Sequence, residues 1–270
     1  MKTKLRYKLK ERYFTLAVNA ALEAGKITLD YFNKKIKVEY KDEMSNNLVT
    51  EVDKKAEECI IGMIKKEFPD HTFLAEESGE TGDVSEVKWI IDPLDGTVNY
   101  AHGIPIFSVT IAVEDKGEII AGVVYDPTRN ELFTAKKGEG AFLNGNRIKV
   151  SSSKELEKSL LVTGFPYNVK ENPYNCIDLF KEFLLNSRAL RRLGSAALDA
   201  AWIGCGRFDG FYEVTLKPWD IAAGSLIVTE AGGKVTNFFS DSFSVYNGSF
   251  LATNGIIHNQ MMEVIRKNIK

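Results

Sequence analysis

The chain has 270 residues, of which 44% are hydrophobic and 27% charged, an ordinary balance for a soluble globular protein and enough for one large domain or two small ones. Its 35 basic and 37 acidic side chains leave a net charge of −2, so composition does not point to nucleic acid as the main partner. No apolar run suits a signal peptide or a membrane span, and Cys59, Cys176 and Cys205 are odd in number and widely spaced, which fits reduced thiols in a cytoplasmic protein.

Lys2, Lys4, Arg6, Lys8, Lys10 and Arg12 read as the solvated start of a helix. Phe14, Ala17, Val18, Ala21, Ile27 and Phe32 then recur at helical spacing, which predicts a helix with one buried face over about 11–32. Ile36 to Tyr40 alternates like a strand or hairpin arm, and Lys41 to Asn47 is polar and reads as a mobile loop. A second helix is expected from Thr50, with Val52, Ala56, Cys59, Ile60 and Met63 as its apolar stripe and Pro69 beyond its end. Thr50 and Asp53 stand three apart, as in a capping box. Capping and a catalytic role are both open for Asp53.

Thr72 to Ala75 is a short apolar strand that ends in Glu76-Glu77-Ser78-Gly79. The most informative stretch follows: Trp89-Ile90-Ile91, a core strand, runs into Asp92-Pro93-Leu94-Asp95-Gly96-Thr97. Pro93 fixes its own φ and Gly96 permits an unusual one, which predicts a turn carrying two carboxylates into one small volume. A divalent cation relieves their repulsion, and Mg²⁺ selects carboxylate oxygens. Backbone N–H groups at Gly96-Thr97 suit a phosphate. Glu76 is placed to add a third carboxylate. The blander reading is an Asp that only caps its own turn.

Phe107–Val113, Ile119–Tyr125 and Leu132–Ala135 are β-rich runs joined by short turns, with a further hairpin at Asn144-Gly145, so this half is an antiparallel meander. Ser159–Thr163 is a strand and Tyr174–Leu185 a helix. Gly194-Ser195-Ala196-Ala197 opens a small-residue helix, which suits either anion binding or tight packing. Phe208–Val214 is a strand with Glu213 near its end. Trp219-Asp220 opens an apolar helix closed by Ala231-Gly232-Gly233, and Asp220 there suits the helix dipole as well as a metal. Strands over 234–238 and 250–253 and a last helix from Ile256 complete the chain. His71 and His258 show no partners and read as surface residues.

Together these blocks resemble the inositol monophosphatase family of lithium-sensitive, Mg²⁺-dependent phosphatases, which is related to fructose bisphosphatase. Glu76-Glu77-Ser78 is similar to its Glu-Glu-Ser element, and Asp92 to Thr97 to its Asp-Pro-Leu/Ile-Asp-Gly-Thr signature. Trp219 to Gly224 with Glu230-Ala231-Gly232-Gly233 is similar to its second signature. Asn47-Leu48-Val49-Thr50 with Asp53 resembles the stretch before its second helix, although members often carry Asp where Asn47 stands.

The resemblance implies an α+β fold, a layered αβαβα sandwich with two mixed or antiparallel sheets. It implies a single domain over 1–270, with a metal-binding α+β half over about 1–150 and an α/β half over about 151–270. Glu76, Asp92 and the Leu94 carbonyl would hold a first Mg²⁺, and Asp92, Asp95 and Asp220 a second. Glu76 with waters would hold a third. Thr97 with Asp53 would orient the attacking water, and Glu76 joins this catalytic group. Gly96 and Thr97 would bind phosphate. Gly194, Ser195, Ala196 and Glu213 would contact the alcohol half of the substrate, with Asp95 and Asp220 also touching substrate. A homodimer without membrane attachment is expected.

The implied activity is hydrolysis of a small polyol or sugar phosphate, inositol monophosphate first, without a phosphoenzyme. Fructose bisphosphatase, bisphosphate nucleotidase and histidinol-phosphate phosphatase are the alternatives within that chemistry. A regulatory protein-binding role in transcription or RNA processing is the alternative outside it. No residues suit a covalent route: no cysteine begins a Cys-x₅-Arg loop, and Asp92 and Asp95 are not spaced Asp-x-Asp. No Gly-x₄-Gly-Lys-Ser/Thr loop for ATP is present.

Overall fold

The structure is a computed structural model that describes residues 2–41 and 48–269, with only the backbone described over 2–6. The first part of the chain runs α1 (Lys2–Tyr31), β1 (Val38–Tyr40), β2 (Leu48–Thr50), α2 (Glu51–Glu67), β3 (Thr72–Ala75), β4 (Gly79–Gly82), β5 (Val87–Asp95) and α3 (Thr97–Ala101). The meander follows as β6 (Ser108–Asp115), β7 (Glu118–Asp126), β8 (Glu131–Lys136), β9 (Gly140–Leu143) and β10 (Asn146–Arg147). The rest is β11 (Leu160–Thr163), α4 (Cys176–Asn186), β12 (Ala189–Arg191), α5 (Ala196–Gly204), β13 (Gly210–Glu213), α6 (Pro218–Glu230), β14 (Lys234–Thr236), β15 (Phe250–Thr253) and α7 (His258–Asn268).

Two sheets carry the architecture, beside a small β1–β2 hairpin. The larger has eight strands in the order β10-β9-β8-β7-β6-β5-β3-β4. Its meander strands pair antiparallel, as the short turns predict, while β3 runs parallel to β5. The smaller has five strands in the order β12-β11-β13-β15-β14, with β11 parallel to both its neighbours.

The strand sequences show why both faces of the large sheet are covered. In β5, Trp89 and Ile91 point into a core shared with α1 and α2, while Ile90 points into a core shared with α5 and α6. A strand buried on both faces must be apolar at successive positions, as Trp89-Ile90-Ile91 is. α5 and α6 are apolar nearly all round, the composition of a helix with no solvent face. They form the middle layer, packed between the large sheet and Phe211, Phe250 and Ala252 of the small one. α4 and α7 close the outer face through Leu179, Phe183, Met261 and Ile265. The layers are therefore αβαβα.

α1 begins at Lys2, so the basic stretch is the helix start that the sequence suggests, since basic residues are good helix formers. Several elements depart from the sequence reading. β4, β12 and the one-turn α3 were not expected; each is too short to show a periodicity. Residues 42–47, including most of the expected loop and Asn47, lie outside the described residues. His258 is not a surface residue: it is 2% exposed, with Nδ1 3.0 Å from the Thr253 hydroxyl and Nε2 3.1 Å from the Thr236 hydroxyl. Burial lowers its pKa to about 4, so the ring is neutral. His71 is half-buried, accepts a 2.9 Å hydrogen bond from the Trp89 indole and stacks on Phe68. Their partners are hydroxyl or aromatic groups, which a search for charged partners misses. The three cysteines are free thiols, as expected.

Candidate active site

The site is built where β5 ends. The strand does not turn at Pro93; it continues through Asp95 with a register shift against β6 between Asp92 and Asp95. Such a bulge re-aims side chains without ending the strand. Asp92, 2% exposed, is fixed locally by accepting the Leu94 N–H at 2.9 Å. The turn falls at Gly96, whose φ is 95°. A Cβ there would lie 2.9 Å from the Ile106 carbonyl oxygen and 3.2 Å from that of Gly194, so both conformation and space demand glycine. Thr97 starts α3 at once, which puts its hydroxyl back over the strand end.

Three other elements bring acids to this end of β5. Glu76 follows β3, whose parallel pairing aligns its end with Ile91, and the Glu76 N–H bonds the Ile91 carbonyl at 3.1 Å. Asp53 lies in the first turn of α2 and is fully buried. It accepts the Thr50 N–H at 2.9 Å and the Thr50 hydroxyl at 2.5 Å on Oδ2. Its Oδ1 lies 3.1 Å from the Thr97 hydroxyl, which is also 3.1 Å from the Leu94 carbonyl oxygen. Asp220 lies in the first turn of α6 and accepts the Lys217 N–H at 2.7 Å. Asp95 reaches the start of α5, accepting the Ser195 hydroxyl at 2.5 Å and the Ala197 N–H at 2.9 Å.

The cavity, about 290 Å³, is lined by Glu76, Asp92, Leu94, Asp95, Gly96, Thr97, Gly194, Ser195, Ala196, Glu213 and Asp220. Every one of the proposed metal, phosphate and alcohol contacts thus borders one space, and Asp53 stands behind Thr97.

The acidic charge in it is only partly compensated. Burial, then the charges of Glu76, Asp95 and Asp220, pushes the Asp92 carboxyl well above the usual range. Burial followed by Glu76 does the same to Asp220. Burial raises Asp95 to about 6 despite the Ser195 hydrogen bond, Asp53 to about 6 and Glu213 to about 8. Lys41, Arg192 and Lys217 also line the cavity, and the Lys41 ammonium lies 2.7 Å from both Glu76 and Glu77. Burial works against its charge, but the two carboxylates outweigh burial and raise its pKa.

Among the described residues, no three His, Cys, Asp or Glu side chains stand in metal-holding geometry. The donor chemistry nevertheless fits Mg²⁺. All the candidate ligands are hard carboxylate or carbonyl oxygens. Asp92, Asp95 and Asp220, crowded into one cavity, hold protons above their normal range, as expected where a cation's charge is wanted.

Several lining residues escape the sequence reading. Lys41 reads there only as part of a polar loop, and Arg192 has no reading at all. Asp199 is buried in α5 yet borders the cavity. Its position four residues after Ser195, hence on the same helix face, was the available signal.

Comparison with known proteins agrees with this arrangement. Residues 9–270 match the profile of the inositol monophosphatase family. The chain is 44% identical to the Nus factor SuhB of Escherichia coli over 255 residues, covering 94% of this chain and 96% of that protein. It superposes on the inositol monophosphatase of Anabaena with a TM-score of 0.85 at 41% identity, covering 96% of each chain. On the extragenic suppressor protein SuhB of Bartonella henselae the TM-score is 0.90 at 38% identity, covering 96% of this chain and 100% of that one. A sandwich of these layers, with its acids gathered at the end of β5, and a match over nearly the full length place the chain in the inositol monophosphatase family.

Proposed function

We propose that the protein is a Mg²⁺-dependent phosphomonoesterase that hydrolyses a small polyol phosphate, with inositol monophosphate as the first candidate. The observation that carries this reading is the convergence of Glu76, Asp92, Asp95 and Asp220 on one cavity, beside a Thr97 hydroxyl backed by a buried Asp53. Phosphate monoesters are exceptionally inert, so charge neutralisation and positioning must supply most of the acceleration.

Glu76, Asp92, the Leu94 carbonyl, Asp95 and Asp220 would be the ligands for two Mg²⁺ ions, with a third held on Glu76. When bound, the ions neutralise phosphate charge and make a water more acidic. Thr97 accepts that water's hydrogen bond while its own proton points to Asp53. Asp53 holds Thr97 in this orientation because its other oxygen is fixed by Thr50. The N–H groups of Gly96 and Thr97 bind phosphate oxygens. Ser195, Ala196 and Glu213 face the alcohol, whose oxygen leaves in line with the attacking water. Water attacks phosphorus, the P–O bond to the alcohol breaks, and the alcohol takes up a proton. No side chain becomes phosphorylated.

Phosphate release from a panel of polyol and sugar phosphates, with and without Mg²⁺, tests this. Inositol monophosphate should lead the panel, and absence of any Mg²⁺-dependent release would remove the reading. A second reading, a regulatory role like that in the name Nus factor, is favoured by the 44% identity to proteins so named. Its test is retention of partner binding by an Asp95→Asn protein that releases no phosphate.

A further inference from the structure

A second cavity, of about 310 Å³, opens where the C-terminal half of α6 meets the turn between β6 and β7 and the segment between β14 and β15. None of the acids at the end of β5 borders it. Its walls are apolar where Ile119, Leu226, Phe243 and Val245 meet, and the buried charge among its lining residues is Glu114.

Glu114 stands where an apolar residue is expected. Along β6, Ala112 faces the core shared with α5 and α6, and strand alternation turns Glu114, two residues on, to the same side. Glu114 is 9% exposed. The Tyr246 hydroxyl donates to its Oε2 at 2.8 Å, and burial, then this bond, keeps the phenol protonated as a donor. Oε1 takes no hydrogen bond or ion pair among the described residues. It is not sealed in, as the Trp202 indole nitrogen is, so it opens on the cavity. An acid held nine-tenths out of water with half of its carboxylate unanswered costs the fold.

The charged neighbours are engaged elsewhere. Lys137 and Glu118, both exposed, form an ion pair with each other. Lys88, opposite Glu114 on β5, pairs with Glu80 at 3.0 Å, its ammonium 5.8 Å from the centre of the Tyr246 ring. Glu230 accepts the N–H groups of Gly138 and Gly140 at 2.7 and 2.8 Å. What the cavity lacks is a positive donor that reaches Oε1 from inside it, carried on a body that covers the apolar walls. An anion meets the wrong charge, and a neutral hydrocarbon leaves Oε1 unanswered. The volume lies in the range of small-ligand sites.

We propose that this cavity binds a small organic ammonium ion, a primary amine on an apolar body, whose N–H donates to Glu114 Oε1 while the body packs on Leu226, Phe243 and Val245. Such a charge-assisted bond is stronger than one between neutral groups. The site is separate from the phosphatase reading and stands or falls without it.

The test is a ligand-observed NMR titration of the full chain with 2-phenylethylamine, and with 2-phenylethanol and phenylacetate as neutral and anionic analogues of similar shape. Excess Mg²⁺ competes for the acids at the end of β5, and Asp220→Asn reports any amine bound there. The amine should saturate one site per chain with a Kd of about 1 mM or tighter. The alcohol and the acid should bind at least about tenfold more weakly. Glu114→Gln keeps an oxygen for Tyr246 and removes the charge, so amine affinity should fall about 10–100-fold. Thr229→Phe fills the cavity from an exposed helix position and should abolish binding. Asp220→Asn should bind the amine as the wild type does.

No saturable amine binding up to about 10 mM overturns the proposal. So does equal binding of the alcohol, or unchanged affinity in Glu114→Gln. Loss of binding in Asp220→Asn also overturns it, since the amine would then occupy the first cavity. If Glu114→Gln does not fold, Thr229→Phe decides. Retained binding overturns the proposal, and lost binding with an unchanged melting temperature supports it.

Discussion

The starts of α2 and α6 use the same device for different ends. In each, an Asp in the first turn accepts the N–H of the residue three before it: Thr50 to Asp53 at 2.9 Å, Lys217 to Asp220 at 2.7 Å. Both caps satisfy a donor that the helix cannot. At α2 the second oxygen of Asp53 is engaged by the Thr97 hydroxyl, so the acid is enclosed by hydrogen bonds. At α6, Asp220 faces Glu76 and Asp95 across the cavity, with the same sign of charge. The first acid positions a neighbour and the second calls for a cation. A carboxylate has two oxygens, so capping and function are not rival explanations of one residue.

The sharpest way to break this contrast is to neutralise Asp220. Asp220→Asn keeps an oxygen for the Lys217 N–H but removes a charge from the cavity. Phosphate release should fall by 10³-fold or more, an order of magnitude set by losing a metal's charge stabilisation. Melting without metal should be unchanged or higher, because repulsion is relieved. Asp95→Asn should behave alike. An Asp220→Asn protein that unfolds without metal would make the residue a cap alone.

Asp53→Asn probes the other acid and should be milder. Asn caps about as well as Asp, yet its amide nitrogen would face Thr97 as a donor. Turnover should fall by roughly 10²–10⁴-fold, the range for positioned acid–base groups. Thr97→Ser should retain much of the rate and Thr97→Val should not. In a double-mutant cycle, Asp53→Asn should cost little once Thr97 is Val. Independent, multiplying losses would separate the two residues.

The acids also predict how stability depends on pH. Asp53 and Asp95 titrate near 6 and Glu213 near 8 in the folded chain, above the values of an unfolded chain, about 4. The native state therefore binds more protons between these limits, and metal-free stability should fall as pH rises from about 4 to 8. Mg²⁺ binds the deprotonated acids, so the rise in Tm that it gives should grow over the same interval. Thermal melts at pH 5.5 and pH 8, with EDTA or with Mg²⁺, check both signs. A metal-free Tm that rises across this interval would contradict the only partly compensated cavity.

The smallest effect belongs to the cap itself. Thr50 donates its hydroxyl to Asp53 and accepts the Val52 N–H at 3.1 Å. Thr50→Ala should cost about 1 kcal/mol of stability in a denaturant titration. It should also slow turnover modestly, because Asp53 loses one of the bonds that hold it. Full activity at reduced stability would show that Asp53 needs no such hold.

What the sequence made legible follows from how each feature is encoded. Trp89-Ile90-Ile91 and the string Asp92 to Thr97 are local, so the strand and its acids could be read directly. Glu213 and Asp220 come from elements over a hundred residues further on, and the resemblance, not the spacing, joined them to Glu76, Asp92 and Asp95. The turn expected over Asp92 to Thr97 falls at its Gly96 end, because β6 keeps pairing with β5 past the bulge. Asp199 and His258 were missed for one reason: what each meets, the cavity or the hydroxyls of β14 and β15, is assembled only by the fold.

The central claim is that the acids at the end of β5 act by holding Mg²⁺ over a phosphate ester. Phosphate release from inositol 1-phosphate, titrated with Mg²⁺ for the wild type and Asp220→Asn in parallel, tests it most directly. The account predicts a wild-type rate that rises from background with Mg²⁺ and an Asp220→Asn rate that stays near background at saturating Mg²⁺. Wild-type turnover in EDTA, or equal turnover by the two proteins, would contradict it.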